Sequence, residues 1–436
     1  MKKRREKRTA MFEKNSNVFQ KERIIFNMKE IELLAPAGSF EKAKIAFLYG
    51  ADAVYCGTAS LSLRSRAEIQ DDDLIQTIEY AHSIGKKVYV ALNIYAWDET
   101  YDEIIEMAKK LEEIKPDGII VADGGVFDVV KKYAPSVPIN VSTQANLVSL
   151  HSCNFWHNNG AKRMIMAREL NKEQLRYIME NKPDDMEIEI FVHGAICFAY
   201  SGRCFLSDFL ACRSANLGDC AQSCRWSYNL YAEEKNNPGE FMPIEMDEHG
   251  TSIFSSKDLC LIKEIPEIID MGIDSLKIEG RLKTEYYVAS IVNVYRNAID
   301  DYKKDPSNYD YTRYLKEIEK IKTRGLTTFY FNDRENKDIQ EYEGRQYNEQ
   351  YQFGGKVAED DGEIAIVEIR NRLQIGDTME IIVPHQIEPV EFKIEKLWDF
   401  DTNQEIDFIS PGVKGQKVKM VLPIKCEKDW VIRRKK

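Results

Sequence analysis

From Ile31 onward, short apolar runs alternate with longer stretches whose apolar residues return every three to four positions. The runs are Ile31–Ala35, Ala53–Cys56, Lys87–Leu92, Gly118–Val121, Ile139–Val141, Arg163–Ala167, Glu187–Val192 and Ser275–Ile278. Their length and their content of branched residues predict strands. Between them, Phe40–Tyr49, Asp73–Ile84, Tyr101–Ile114, Gly125–Tyr133 and Lys172–Glu180 predict helices. Strands alternating with helices of this length imply βαβ units and a parallel sheet. Eight such units over about 270 residues predict an α/β fold, a (β/α)8 TIM-like barrel. The competing arrangement is an open doubly wound sheet. No G-x-G-x-x-G follows the first strand, which weakens its dinucleotide-binding version.

The seventh and eighth runs lie about 80 residues apart, far beyond an ordinary connection, so a functional insertion is expected at about 194–262. A long helix (Thr284–Lys303) and a charged one (Tyr311–Thr323) follow. The texture then changes. Gly355–Ala358, Glu363–Ile369, Thr378–Val383, Val390–Leu397 and Lys417–Leu422 alternate with turn residues, predicting a small C-terminal antiparallel β-barrel. The expected layout is a basic disordered extension over 1–27, a barrel with its insertion over 28–325, and the β-barrel domain over 326–436. Met28, just ahead of the first strand, is an alternative start.

Composition adds little until charge and cysteine are placed. The chain has 436 residues, 43% hydrophobic and 31% charged, which suits a soluble globular protein. No apolar stretch approaches a membrane span and no secretory signal opens the chain, so a cytoplasmic protein with no membrane partner is expected. The net charge of −11 excludes wholesale coating of nucleic acid. Both ends are nonetheless basic. Residues 1–27 carry nine Lys/Arg against three Glu, and residues 414–436 carry nine against Glu427 and Asp429. Either end offers a local phosphate-binding patch or simply a solvated tail.

Six of the nine cysteines fall between Cys197 and Cys260. In a reducing compartment such clustering points to metal or chemistry rather than disulfides. Cys197, Cys204, Cys220 and Cys260 are spaced C-x6-C-x15-C-x39-C. Soft thiolates select zinc, copper(I) or an iron–sulfur cluster, and this is not a zinc-finger spacing. Long loops at a barrel mouth suit a cluster held by four thiolates. Cys224 is the alternative to Cys260, and zinc or plain buried thiols are the alternatives to a cluster. Arg203, Arg213, Arg225 and Lys257 flank the cysteines and would offset a cluster's negative charge.

Several stretches resemble a known family. These are Glu189-x-Phe191-x-His193-Gly194-Ala195-x-Cys197-x4-Gly202-x-Cys204-x-Leu206-Ser207, Leu33–Ser39, Gly50–Gly57, Asp274–Arg281 and Asn371–Asp377. All are similar to the collagenase-like peptidase family U32, from about Met28 to the end. The resemblance implies a TIM-like barrel with a small β-barrel tail. At this length it implies the branch that hydroxylates tRNA, forming 5-hydroxyuridine at the wobble base. It further implies an oxygen-independent reaction, prephenate as hydroxyl donor, and a required [4Fe-4S] cluster. A sister branch hydroxylates a cytidine of 23S ribosomal RNA. A third works as paired proteins in ubiquinone hydroxylation, and its cluster ligands resemble Cys197, Cys204, Cys220 and Cys260. A homo-oligomer or a paralogous partner subunit is therefore also expected.

The peptidase name itself has weak support. There is no H-E-x-x-H and no G-x-S-x-G, which leaves a Cys197–His193 pair as the one protease arrangement. In a TIM barrel chemistry sits at the C-terminal strand ends. There the sequence places Asn93, Asp123, Ser142, Thr143, Gln144, Arg168, Glu169, His193, Lys277, Glu279 and Arg281. Arg168, Arg281 and Lys277 would bind a dicarboxylate such as prephenate. Glu279 or His193 would move a proton. Ser142 and Gln144 would hydrogen-bond a base edge. Tyr95, Trp97, Phe198 and Tyr200 would stack an unstacked base, and the basic last strand would hold tRNA backbone.

Overall fold

The structure, a computed structural model, describes residues 29–436 apart from 59–60, 63–68, 198–203, 205, 214, 216–217, 227–229, 234–237, 240, 245–255, 322, 324, 334–335, 337–338, 340–349 and 413–414. The N-terminal extension, Phe198, Tyr200 and Arg203 lie outside the described residues.

The first seven strands and six helices strictly alternate: β1 (Glu32–Pro36), α1 (Phe40–Leu48), β2 (Ala53–Gly57), α2 (Asp71–Ser83), β3 (Lys87–Leu92), α3 (Tyr101–Ile114), β4 (Gly118–Val121), α4 (Gly124–Tyr133), β5 (Ile139–Val141), α5 (Leu150–Asn158), β6 (Arg163–Ile165), α6 (Lys172–Asn181) and β7 (Glu187–Ala195). Each strand pairs in parallel with the next. The insertion carries α7 (Leu206–Ala211), the hairpin β8 (Leu230–Glu233) and β9 (Phe241–Ile244), then β10 (Asp258–Cys260) and α8 (Ile265–Asp270). The last barrel strand, β11 (Ser275–Ile278), pairs in parallel with both β1 and β7 and closes the ring. All eight expected strands are present.

The sequence pattern missed α5. Its run Leu-His-Ser-Cys-Asn-Phe-Trp-His-Asn buries only Cys153 and carries almost no apolar stripe; the Ser149 hydroxyl that accepts from Ser152 N starts it instead. It also missed β10, which runs antiparallel to the end of β7, with Cys260 opposite His193. A bulge turns the Val192 carbonyl toward β10 while His193 stays paired with β11. Lys277 lies opposite Phe191 and Ile278 opposite His193, so Val192 is the extra residue.

Helices α9 (Glu285–Lys304) and α10 (Tyr311–Glu319) follow, and β12 (Leu326–Thr327) extends the sheet beside β10. The remaining strands are β13 (Tyr351–Asp360), β14 (Ala365–Ile369), β15 (Leu373–Gln374), β16 (Thr378–Ile382), β17 (Val390–Lys393), β18 (Leu397–Asp399), β19 (Glu405–Ile406), β20 (Phe408–Ile409), β21 (Lys417–Met420) and β22 (Val431–Lys435). Eight of them form one curled antiparallel sheet, in the order β17-β16-β22-β13-β14-β21-β18-β19, round its own apolar core. The chain's final strand, β22, therefore sits inside the sheet.

That position withdraws two arginines of the basic tail from the expected phosphate grip, while Lys435 stays exposed. Arg433 is 1% exposed, donating through Nε to Glu380 at 2.7 Å and through its terminal nitrogen to Glu317 of α10 at 2.6 Å. Arg434 bonds Gln352 and the carbonyl of Arg372. Both are spent inside the protein. The sheet docks on the barrel's helices. Asn293 of α9 donates to the carbonyls of Val383 and Gln386 and accepts from His385 N. The buried Tyr49 hydroxyl donates to Ile382 O and accepts from Val431 N, both at 2.8 Å. No helix of the described residues is long and apolar enough to cross a membrane.

Replacing Tyr49 by Phe strands a buried carbonyl and a buried amide at this junction. Unfolding in urea is expected to show a loss of about 1–3 kcal/mol, with the barrel and sheet still assembled.

Candidate functional site

Small βα barrels usually fill their interior with branched aliphatic residues. Here several inward positions carry charge. Arg163 of β6 reaches Glu187 (2.9 Å from Nε), Glu32 (2.5 Å) and Glu189 (3.1 Å), with its guanidinium 4.8 Å over the Tyr89 ring. The other oxygen of Glu189 accepts from Lys277 Nζ at 2.9 Å. Burial works to raise Glu32, but the facing Arg163 outweighs it and holds the carboxyl below its ordinary value. Burial pulls Lys277 below the usual lysine range, and Glu189 works against that pull.

Above this charged layer, at the C-terminal ends of the strands, lies a cavity of about 330 Å³. Its wall has three parts. On the side of the mouth formed by β6, β7 and β11 it is cationic, with Arg168, Lys277, Arg281 and Lys283. Tyr55 underlies this end: Lys277 Nζ is 4.3 Å and the Arg281 guanidinium 5.9 Å from its ring centroid. Arg168 stacks 4.0 Å over Phe191 and donates to Ala195 O at 2.8 Å. Arg281 donates to Ser62 Oγ.

The second part is neutral and polar, with Asn93, Ser142, Thr143 and Gln144. Ser142 Oγ accepts from Asn93 Nδ2 at 3.3 Å and from Gln144 N at 3.2 Å. The Tyr95 hydroxyl donates to Gln144 O. These bonds fix the backbone, while Gln144 Oε1 is buried and meets no donor from the described residues. Glu279 lines the cavity between the two parts, its Oε2 3.4 Å from the Tyr55 hydroxyl.

The third part is sulfur. Cys197, Cys204, Cys220 and Cys224 all line the cavity. A hydrogen bond with Cys197, helped by the backbone amides of Leu206 and Ser207, lowers the Cys204 thiol to about 6 against the effect of burial. A thiolate is the form that ligates soft metals. Cys260 is elsewhere. It is buried on β10 beside the Tyr295 hydroxyl, and burial pushes its thiol up to about 12. Among the described residues no three His, Cys, Asp or Glu side chains stand close enough to hold one metal ion. It is the donor type, four thiols on one wall, and not their spacing that suits a thiolate-held group. Cys224, the alternative fourth thiol, shares the wall with three of the expected ligands; Cys260 does not.

His193, expected to move a proton, is not on the wall. It is 1% exposed, its Nδ1 is 3.4 Å from the Tyr295 hydroxyl, and burial lowers it to about 3, so the ring is neutral. The Cys197–His193 pair is not formed: His193 is buried against Tyr295, whereas Cys197 is exposed on the cavity wall. Asp123 caps α4, accepting from Gly125 N and Val126 N. Trp97 stands exposed beyond β3. Tyr55 and Glu189 were missed as site residues. A Glu at an inward position of a strand that ends in the Cys motif was the available signal.

A closed parallel barrel with a polar cavity at the C-terminal strand ends is the layout of a TIM-barrel enzyme. The chain belongs to Peptidase family U32: the model described by that name matches residues 38–341, and that of the family's C-terminal domain matches 349–433. It is 39% identical to tRNA hydroxylation protein P1 of Bacillus subtilis, over 91% of this chain and 93% of that protein. It is 38% identical to tRNA hydroxylation protein P of Escherichia coli, over 92% and 96%. It is 32% identical to the 23S rRNA 5-hydroxycytidine C2501 synthase of Escherichia coli, over 82% of this chain but 53% of that protein.

Gly194 has φ +108°, and a Cβ there would meet the Glu279 carbonyl at 2.5 Å. Gly194→Ala is expected to cost roughly 1–3 kcal/mol in strain and to push Glu279 from its place. Thermal melting would register the first effect and a crystal structure of the variant the second.

Proposed function

We propose that this protein modifies RNA, hydroxylating C5 of the wobble uridine of tRNA, with prephenate as hydroxyl donor and without dioxygen. The observation that carries this reading is the division of one cavity into a cationic end and a neutral end rich in amides and hydroxyls. Such a site suits a small organic acid beside a flipped-out base. Arginine forks match carboxylates, and an unstacked base presents its edge to side-chain amides. The names of the two relatives of similar length support tRNA as the substrate.

In this reading Arg168 and Arg281 bind and orient the carboxylates of the acid over the Lys277 floor. Gln144 Oε1 accepts from the uracil N3–H, and Ser142 holds the turn that presents it. Glu279 takes or returns a proton at the cavity centre, where the buried and neutral His193 does not reach. The wall thiols would hold an iron–sulfur cluster, with Cys197, Cys204 and Cys220 as three ligands and Cys224 or Cys260 as the fourth. When bound, it would supply one-electron redox chemistry beside the base.

A second reading, hydroxylation of a ribosomal cytidine, is favoured only by the third relative, of which this chain spans about half. Nucleosides from tRNA and ribosomal RNA of a deletion strain distinguish the two. Loss of 5-hydroxyuridine from tRNA is expected; loss of 5-hydroxycytidine from ribosomal RNA alone would replace the first reading with the second. Complementation with Arg168→Ala is expected to restore tRNA binding but to lower modification about 10- to 150-fold, the worth of a hydrogen bond to a charged group. Undiminished modification removes the carboxylate role.

Anaerobic purification with iron and sulfide analysis tests the cluster. Bound iron is expected in the wild type. Its loss in either Cys224→Ser or Cys260→Ser names the fourth ligand, and an iron-free wild type ends the cluster proposal.

A further inference from the structure

The Glu189–Lys277 pair stands at the boundary between the charged interior and the cavity. Glu189 is 1% exposed and Lys277 4% exposed, yet Lys277 lines the cavity. The two oxygens of Glu189 are taken by different cations: Oε1 accepts from Lys277 Nζ at 2.9 Å and Oε2 from Arg163 at 3.1 Å. Arg163 is itself pinned by Glu32 and Glu187. The carboxylate cannot turn away from Lys277 without abandoning a buried arginine. The groups facing Lys277 are Glu189 and the Phe191 ring from β7, Arg163 from β6, Glu279 beyond β11, and the Tyr55 ring from β2, over which Arg281 also lies.

We infer that Glu189, braced by Arg163, is a positioning residue that fixes the Lys277 ammonium in the cavity floor, where it receives a carboxylate of a small organic acid. The inference rests on the proposed function only for the identity of that acid. Its physical basis is a contest between burial and charge. A lysine in a site walled by aromatic rings and near other cations tends to give up its proton, because the charged form is poorly solvated. Arg163 stays protonated at every accessible pH, so it keeps repelling Lys277. The carboxylate in contact with the ammonium opposes both effects. Deleting that negative charge lowers the pH at which Lys277 becomes neutral, and a neutral amine holds an anion far less well. Glu189 touches no substrate in this scheme; it acts through Lys277.

The test is equilibrium binding of prephenate, and separately of phenylpyruvate, to the full-length chain across pH. Binding should weaken at alkaline pH as Lys277 loses its proton. In Glu189→Gln that alkaline limb should move down by about one pH unit or more. In Lys277→Arg, which keeps a cation that does not titrate, the limb should vanish; this variant serves if Glu189→Gln does not fold. A folded Glu189→Gln with the wild-type limb, or a Lys277→Arg that retains it, overturns the inference and leaves the pair as barrel filling. Binding of phenylpyruvate but not prephenate, with a limb that depends on Glu189, upholds the positioning role and overturns prephenate as the co-substrate. Wild-type binding of neither acid overturns both.

Discussion

A buried carboxylate shared by two cations organises this molecule's interior. Glu189 sits between Arg163 and Lys277, and through Arg163 the contacts extend to Glu32 and Glu187. Such an arrangement is an expensive way to fill a barrel. Ions taken out of water lose solvation that their mutual attraction recovers only with good geometry, and apolar residues of similar volume often give a more stable core. What apolar residues cannot do is present a charge to the cavity above them. The tier is better understood as a base for the site than as a source of stability. Once it exists each member requires the others, because a lone buried charge is costlier than none.

The same strand that carries Glu189 also determines how the mouth is built. After Phe191 the bulge at Val192 turns one carbonyl toward β10, while the pairing with β11 resumes at His193. The Val192 carbonyl, released from the barrel ladder, accepts from Leu261 N and from the Tyr295 hydroxyl. Gly194 lets the Glu279 backbone pass close by, and His193 packs against Tyr295 and Tyr287. His193 and Gly194 of the motif are thus joinery. They set where the cysteine loops leave the barrel and where Glu279 enters the cavity.

The C-terminal sheet is joined to the barrel by buried polar contacts rather than by an apolar seam alone. Tyr49, Asn293 and Arg433 each satisfy groups on the opposite side. Buried polar groups are tolerated only when paired, so these contacts fix one docking geometry. Of the last strand's cations Arg433 is consumed in doing so, whereas Arg434 bonds within the sheet.

The sequence by itself determined the barrel, its closure by Ser275–Ile278, the insertion and the β-rich tail. Strand and helix periods are local properties, and eight repeats of one unit leave few ways to bury them. It also determined the chemistry on offer at the strand ends: the cations that line the cavity, the amides beside them and the clustered thiols. Only the tertiary structure decided which of these share a wall. Cys260 and Cys224 are both plausible by spacing, but the antiparallel return of β10 carries Cys260 behind the strand and leaves Cys224 in the cavity. His193 lies in a strand motif like a catalytic base, yet the bulge beside it puts the ring among tyrosines. Arg433 looks like a free cation in a basic tail until β22 is threaded between β13 and β16. In each case the residue's fate depends on a partner far away in the chain, and contacts of that kind leave no period in the sequence.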